Sequence, residues 1–193
     1  MVSSNVVASL KQSQPADKDD DVVYYYFTFA NATPNLMRDL VGSLLAQLAS
    51  KRLPLPVRKL FESRERGRPP TLEGLLKCLL DVIQTRDSIY LVLDAIDECS
   101  ERTEFYEVLS RIYQWKLKNL HIFATSREER NINERFHHWA TTSLLLSKDL
   151  ILQDVILYIN SRMSRDIGLK KWSQDHDLKI QVVKTLSEGA NGM

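Results

Sequence analysis

Glycine and cysteine are scarce in this chain: six glycines and two cysteines occur in 193 residues. Cys78 and Cys99 form no Cys-x-x-Cys pair and no metal-ligand spacing with histidine, which leaves neither a disulfide framework nor a structural zinc site. A reducing, intracellular compartment is the expectation from so little cysteine. Charge of one sign is missing as well, because 26 Lys and Arg oppose 25 Asp and Glu for a formal net charge of +1. That balance argues against a dedicated nucleic-acid binder or a polybasic membrane binder, so no nucleic-acid and no membrane partner is expected. No apolar run approaches the roughly 20 residues of a bilayer span. Residues 1–11 lack the basic leader and apolar core of a signal peptide, and the reading is a soluble, cytoplasmic protein. What is present is ordinary globular composition, 44% hydrophobic and 26% charged, at a length of one domain or one domain plus the start of another.

Residues 2–12 are weakly amphipathic, and the polar, proline-led stretch 15–21 reads as a loop. The β-branched and aromatic run 22–29 predicts a strand covered on both faces. Thr33 and Pro34 supply an N-cap and a first-turn proline for a helix from 34 to about 50, whose Leu36, Leu40, Leu44 and Leu48 recur at helical spacing. Residues 51–70 carry seven basic residues against Glu62 and Glu65 and read as an exposed connector, with a short helix near 56–63. A single aromatic there, Phe61, argues against base stacking. Thr71 caps a second helix through Leu72, Leu75, Leu76, Leu79 and Ile83. Strands at 88–94, 120–125 and 141–146 and a helix at 101–114 complete an alternation that predicts right-handed crossovers and a largely parallel sheet. After Ser147 only helices are expected, near 151–163 and 178–186, and the turn-like 189–193 reads as an end inside a domain.

The chemistry concentrates in Ile89-Tyr-Leu-Val-Leu-Asp94-Ala-Ile-Asp97-Glu98-Cys99. A buried strand ending in Asp94 projects a carboxylate into the crevice at the sheet's carboxyl end, where it can hold Mg²⁺ directly or through water. Asp97 and Glu98 lie one turn further on, within reach to orient a water attacking a phosphate. The bland alternative makes these acids, with Glu101 and Glu104, a cluster favoured by the dipole of the following helix. A third reading treats Asp94, Asp97 and Glu98 as a metal-dependent phosphodiesterase site. The second motif, Phe123-Ala-Thr125-Ser126-Arg127, sets two hydroxyls and a guanidinium at the end of the neighbouring strand, where an arginine can reach a terminal phosphate. His137 and His138 read as a loop cluster, and Cys99 as a buried small hydrophobe.

With both motifs in this order, the sequence resembles the NACHT-type nucleotide-binding domain of the signal-transduction ATPases with numerous domains (STAND, NOD-like). The resemblance is to the filamentous-fungal group described as nephrocystin-like N-terminal domains. Residues 22–29 and 36–48 look like the family's second strand and helix, 91–99 like its Walker B, 124–127 like its first sensor, and 189–193 like its Gly-Met segment. The resemblance implies an α/β, P-loop-NTPase-like three-layer parallel sheet over 1–147 and the beginning of a helical lid domain over 148–193. It implies ATP and Mg as cofactors of an intact parent: Asp94 for Mg, Asp97 or Glu98 for polarising water, and Arg127 with Thr125 and Ser126 for sensing the γ-phosphate. It also implies a homo-oligomer of that parent, switched by ATP in intracellular signalling or non-self recognition.

The family's first strand and its Gly-x-x-x-x-Gly-Lys-[Ser/Thr] loop have no counterpart among Gly42, Gly67, Gly74, Gly168, Gly189 and Gly192. The chain is therefore expected to begin just past that loop, to leave sheet edges unpaired, and not to be an enzyme by itself. Charge-assisted hydrogen bonds contribute about 1.5–3 kcal/mol each, so losing three phosphate contacts would remove on the order of 5–9 kcal/mol, roughly four to six decades of affinity. The competing class is a degenerate, non-catalytic interaction or scaffold domain.

Overall fold

Three short apolar runs become the strands β1 (Asp20–Tyr26), β2 (Ser88–Asp94) and β3 (Leu120–Ala124). In the computed structural model, which describes residues 2–13, 20–29, 35–62, 69–146, 148–170 and 176–189, they form one parallel sheet in the order β1-β2-β3. The register sets Tyr26 opposite Asp94 and Leu93 opposite Ala124, so the carboxyl ends of all three strands lie together. Parallel neighbours need crossovers, and helices supply them. The first unit holds α1 (Val2–Gln12), α2 (Leu36–Leu48), α3 (Leu55–Glu62), α4 (Leu72–Ile83), α5 (Arg102–Gln114) and α6 (Arg130–Phe136).

Alternation along the strands divides the sheet's faces. Val23, Ile89, Leu91 and Leu93 join Leu40 and Leu44 of α2, Leu76 and Leu79 of α4, and Phe105 and Leu109 of α5 in one buried core. Val92 points the other way and is fully buried outside that core, on the side where α1 lies against β1 and β2 and buries Val7. Helices thus flank a small parallel sheet, an arrangement compatible with a Rossmann-like fold.

Several boundaries differ from those expected. Asp20 and Asp21, assigned to a loop, are buried strand residues. Asp21 is tolerated there because Arg86 Nε lies 3.2 Å and Lys51 Nζ 3.3 Å from its carboxylate. The strand stops at Tyr26 rather than 29: the Phe27 N–H still donates to Asp94 O at 3.0 Å, but Phe29 is exposed. Nor is β1 covered equally on both faces, since Val22, Tyr24 and Tyr26 on one face are half-buried whereas Asp21 and Val23 on the other are buried. The helix expected from 34 runs Leu36–Leu48 with Asn35 in the capping place, and the expected N-cap Thr33 and first-turn Pro34 fall outside the described residues. So do 14–19 of the expected loop, 63–68 of the connector and 190–193 of the Gly-Met segment. Thr71 caps α4 as expected, its Oγ1 accepting from the Gly74 N–H at 3.2 Å.

The fourth strand is not formed. Residues 141–146 have no regular structure, and Leu144 and Leu145 are 84% and 77% exposed. Three successive leucines mimic a buried strand, but a strand needs a partner for its N–H and C=O groups, and among the described residues no strand is hydrogen-bonded to this run. The chain divides into two compact units, Met1–Trp139 and Ala140–Met193. The second contains α7 (Lys148–Arg165), α8 (Ile167–Lys170) and α9 (His176–Gly189).

Candidate functional site

β2 is the middle strand and ends in Asp94, so that carboxylate emerges at the centre of the sheet's carboxyl edge. It is half-buried, and its Oδ1 accepts two hydroxyl protons, from Thr125 Oγ1 at 2.5 Å and from Ser3 Oγ at 2.6 Å. Thr125 is delivered by the parallel ladder: its N–H donates to Leu93 O at 2.9 Å, one step past β3. Ser3 comes from the first turn of α1 and is 2% exposed.

The chain then turns sharply. Ala95 sits in the left-handed region at φ 55°, ψ 51°, which for a residue with a Cβ costs about 1–2 kcal/mol. Thr125 holds that conformation from both sides, as its Oγ1 accepts from the Ala95 N–H at 3.0 Å and its carbonyl from the Ile96 N–H at 3.0 Å. The 3-10 turn Ile96–Glu98 that follows drives Asp97 into the protein, where it is 4% exposed. Its Oδ1 accepts from the Arg127 N–H at 3.1 Å, and its Oδ2 lies 3.5 Å from Arg127 Nε. Its carbonyl accepts from Arg102 Nη2, and Arg102 also forks onto the Glu129 carboxylate. The hydrogen bond from Arg102 holds the Glu129 carboxyl below the usual carboxylate range, and the same bond raises the pKa of the Arg102 guanidinium. Burial pushes the Cys99 thiol up, and its side chain is buried, as expected of a small hydrophobe there.

The site residues singled out from sequence therefore fall into two clusters and two outliers. Asp94 and Thr125 are joined, and Asp97 and Arg127 form an ion pair. Glu98 is half-buried at the turn, with no side-chain hydrogen bond among the described residues. Ser126 is exposed, and its hydroxyl donates to Arg127 O at 2.5 Å rather than turning toward Asp94. Three participants carry no sequence signal of this role: Ser3, which reaches Asp94 across 91 positions, and the pair Arg102 and Glu129. An acid-led helix start and a post-strand Ser-Arg are visible in the sequence, but the partners that cross between them are not.

Magnesium takes one or two carboxylates and completes its octahedron with water and phosphate oxygens. Here Asp94 has one uncommitted oxygen, Oδ2, whereas both oxygens of Asp97 face Arg127. Among the described residues no group of three or more His, Cys, Asp or Glu side chains is placed to hold a metal ion. The described side chains do not make a self-contained Mg site, and the sequence contains no Gly-x-x-x-x-Gly-Lys-[Ser/Thr] to cradle the phosphates of ATP.

Residues 1–127 match the family described as nephrocystin 3, N-terminal, a span that includes Ser3, Asp94, Asp97, Thr125 and Arg127. No curated protein and no solved structure is matched.

Proposed function

The chain belongs to the nephrocystin 3 N-terminal family, and from that premise we propose that it carries the acid and sensor half of a NACHT-type, P-loop-NTPase-like nucleotide-binding core. The observation that carries the reading is the convergence of Asp94, Thr125 and Ser3 at the carboxyl end of the middle strand, where open α/β sheets take their ligands. In a longer parent that supplies a phosphate loop, Asp94 Oδ2 would face the Mg²⁺ of a bound ATP, and Glu98 would be the carboxylate placed to polarise water. Arg127 would reach a terminal phosphate only by leaving Asp97, which makes the Asp97–Arg127 pair the resting state of the sensor. Such a parent would act as an ATP-dependent oligomerisation switch in intracellular signalling, of the kind that fungal STAND proteins use in non-self recognition.

A second reading, a non-catalytic interaction domain, is favoured by one observation. The candidate site is already satisfied internally, with Asp94 Oδ1 held by two hydroxyls and Asp97 by Arg127. Two measurements test the first reading, titration calorimetry of this chain and oligomerisation of a longer one, and the second of them separates it from the other. The 193-residue chain is expected to give no heat with micromolar Mg-ATP, because phosphate contacts worth several decades of affinity are missing from it. Tight binding by this chain would refute that. A longer polypeptide with the loop is expected to oligomerise on adding ATP and to lose the response with Asp94→Asn. An unchanged response in the variant would remove Asp94 from the mechanism.

A further inference from the structure

Parallel strands are ordinarily buried on both faces, and β3 is not. Ile122 is 39% exposed, although its ladder partner Leu91, on the same face, is 3% exposed. On the other face His121 is exposed and Phe123 half-buried. The ladder also decides which backbone groups of β3 face outward. Asn119 O accepts from the Ile89 N–H at 2.7 Å, and the Thr125 N–H donates to Leu93 O at 2.9 Å. By alternation His121 and Phe123 turn their backbone groups toward β2 as well, and Leu120, Ile122 and Ala124 turn theirs outward. The Leu120 N–H bends back to Leu117 O at 3.4 Å. Among the described residues nothing else takes up the outward groups, which are the Leu120 carbonyl and the N–H and C=O of Ile122 and Ala124. The run 120–124 contains no proline, no lysine and no acid to discourage pairing at the edge.

We propose that β3 pairs antiparallel with β3 of a second copy of this chain, about a twofold axis at Ile122. Full overlap of the five residues sets Ile122 opposite Ile122, Leu120 opposite Ala124 and His121 opposite Phe123. Each Ile122 N–H then donates to the other copy's Ile122 carbonyl, and each Ala124 N–H to the other's Leu120 carbonyl. The exposed side chains are covered in the same step, because directly opposed residues share a face. Ile122 meets Ile122 on the face that carries Leu91 and Leu93, and His121 meets Phe123 on the other. Charge selects both the direction and the partner. Lys116 and Lys118 precede the strand and Glu128 follows it, all exposed and in no ion pair among the described residues. Antiparallel self-pairing brings the lysine end of each copy to the Glu128 end of the other, whereas a parallel pair sets lysine against lysine. Growth stops at two copies, since the pairing consumes the β3 edges and the Gln47 amide occupies the β1 edge at Tyr24. The pairing does not rest on the nucleotide reading.

Sedimentation velocity of the full chain across the micromolar range is expected to show a monomer passing to a dimer. Ile122→Lys sets two ammonium groups opposite each other and should raise the dissociation constant roughly tenfold or more. Ala124→Pro removes an outward N–H and should weaken the dimer in the same direction. Neither change removes a hydrogen bond to β2, so both variants should keep the parent's far-ultraviolet circular dichroism. Cysteine cross-linking reads the register. Opposed residues of a hydrogen-bonded antiparallel pair have Cα atoms about 5.5 Å apart, a span that a disulfide accepts, so Ile122→Cys should link into a dimer on mild oxidation. His121→Cys should not, because its twofold mate lies diagonally, roughly 7–8 Å away. The native Cys78 and Cys99 are buried and do not compete. A chain that stays monomeric leaves the edge to a strand from elsewhere and overturns the proposal. So does a dimer that Ile122→Lys leaves intact, or one in which His121→Cys links as readily as Ile122→Cys.

Discussion

Removing either partner of the Asp97–Arg127 pair strands a charge, but in very different surroundings. The Asp97 side chain is 4% exposed, whereas that of Arg127 is 53% exposed. Arg127→Ala leaves a carboxylate in the interior with one hydrogen bond, from a backbone N–H, and with its nearest cation, Arg102, committed to Glu129 and to the Asp97 carbonyl, and a buried charge that loses its partner is the costly case, here about 2–4 kcal/mol. Asp97→Asn leaves a guanidinium that turns to water and keeps an oxygen for the Arg127 N–H, a loss nearer about 1–2 kcal/mol. Urea denaturation of the two variants should show that order. An Arg127→Ala protein as stable as the parent would mean the arginine is free of Asp97 in solution. At this scale the sequence locates Asp94 as the last residue of its strand and Arg127 just past the neighbouring one, and it sets Thr125 at that strand's end, one residue beyond where β3 stops. Whether Arg127 is paired was illegible, because the pairing depends on a left-handed turn at Ala95, and an alanine there announces nothing.

The sheet has two outer edges, and the chain treats the β1 edge explicitly. Gln47 of α2 lays its side-chain amide along it, Nε2 donating to Tyr24 O at 2.8 Å and Oε1 accepting from the Tyr24 N–H at 3.0 Å. The amide does for Tyr24 what a neighbouring strand would do, and it leaves less open edge for another chain to pair with. Gln47→Ala should cost about 1–2 kcal/mol for the two hydrogen bonds and raise concentration-dependent light scattering near the unfolding midpoint. Scattering identical to the parent's would show that this edge is protected by other means. The helices were legible as elements, because α2, α4 and α5 each bury a periodic stripe of leucine, isoleucine or valine. Strand ends were less so. Asp20 and Asp21 look like loop residues until Arg86 and Lys51, far away in sequence, arrive to neutralise Asp21.

Taken as a whole molecule, the chain is two compact units, each holding its own contacts, and Leu144, Leu145 and Leu146 belong to the exposed, irregular beginning of the second. Thermolysin favours exposed leucines in unstructured backbone, so among the described segments the first cuts should fall at these three residues, with α4 and α5 persisting intact. Early cleavage inside α4 or α5, with 140–146 resistant, would show that the leucines are covered in solution. Sequence alone determined the α/β alternation, the parallel sheet, the acid at the end of the strand 88–94 and the hydroxyl-arginine motif at the end of the next one. These are properties of local periodicity and of residue type at element ends, and they survive without knowledge of neighbours. Tertiary structure alone decided that 141–146 is not a strand, that Ser3 closes on Asp94 and that Asp97 is locked to Arg127. Each is a matter of which partner arrives from elsewhere in the chain to satisfy a polar group, and hydrogen bonds and ion pairs between distant residues leave no period in the sequence.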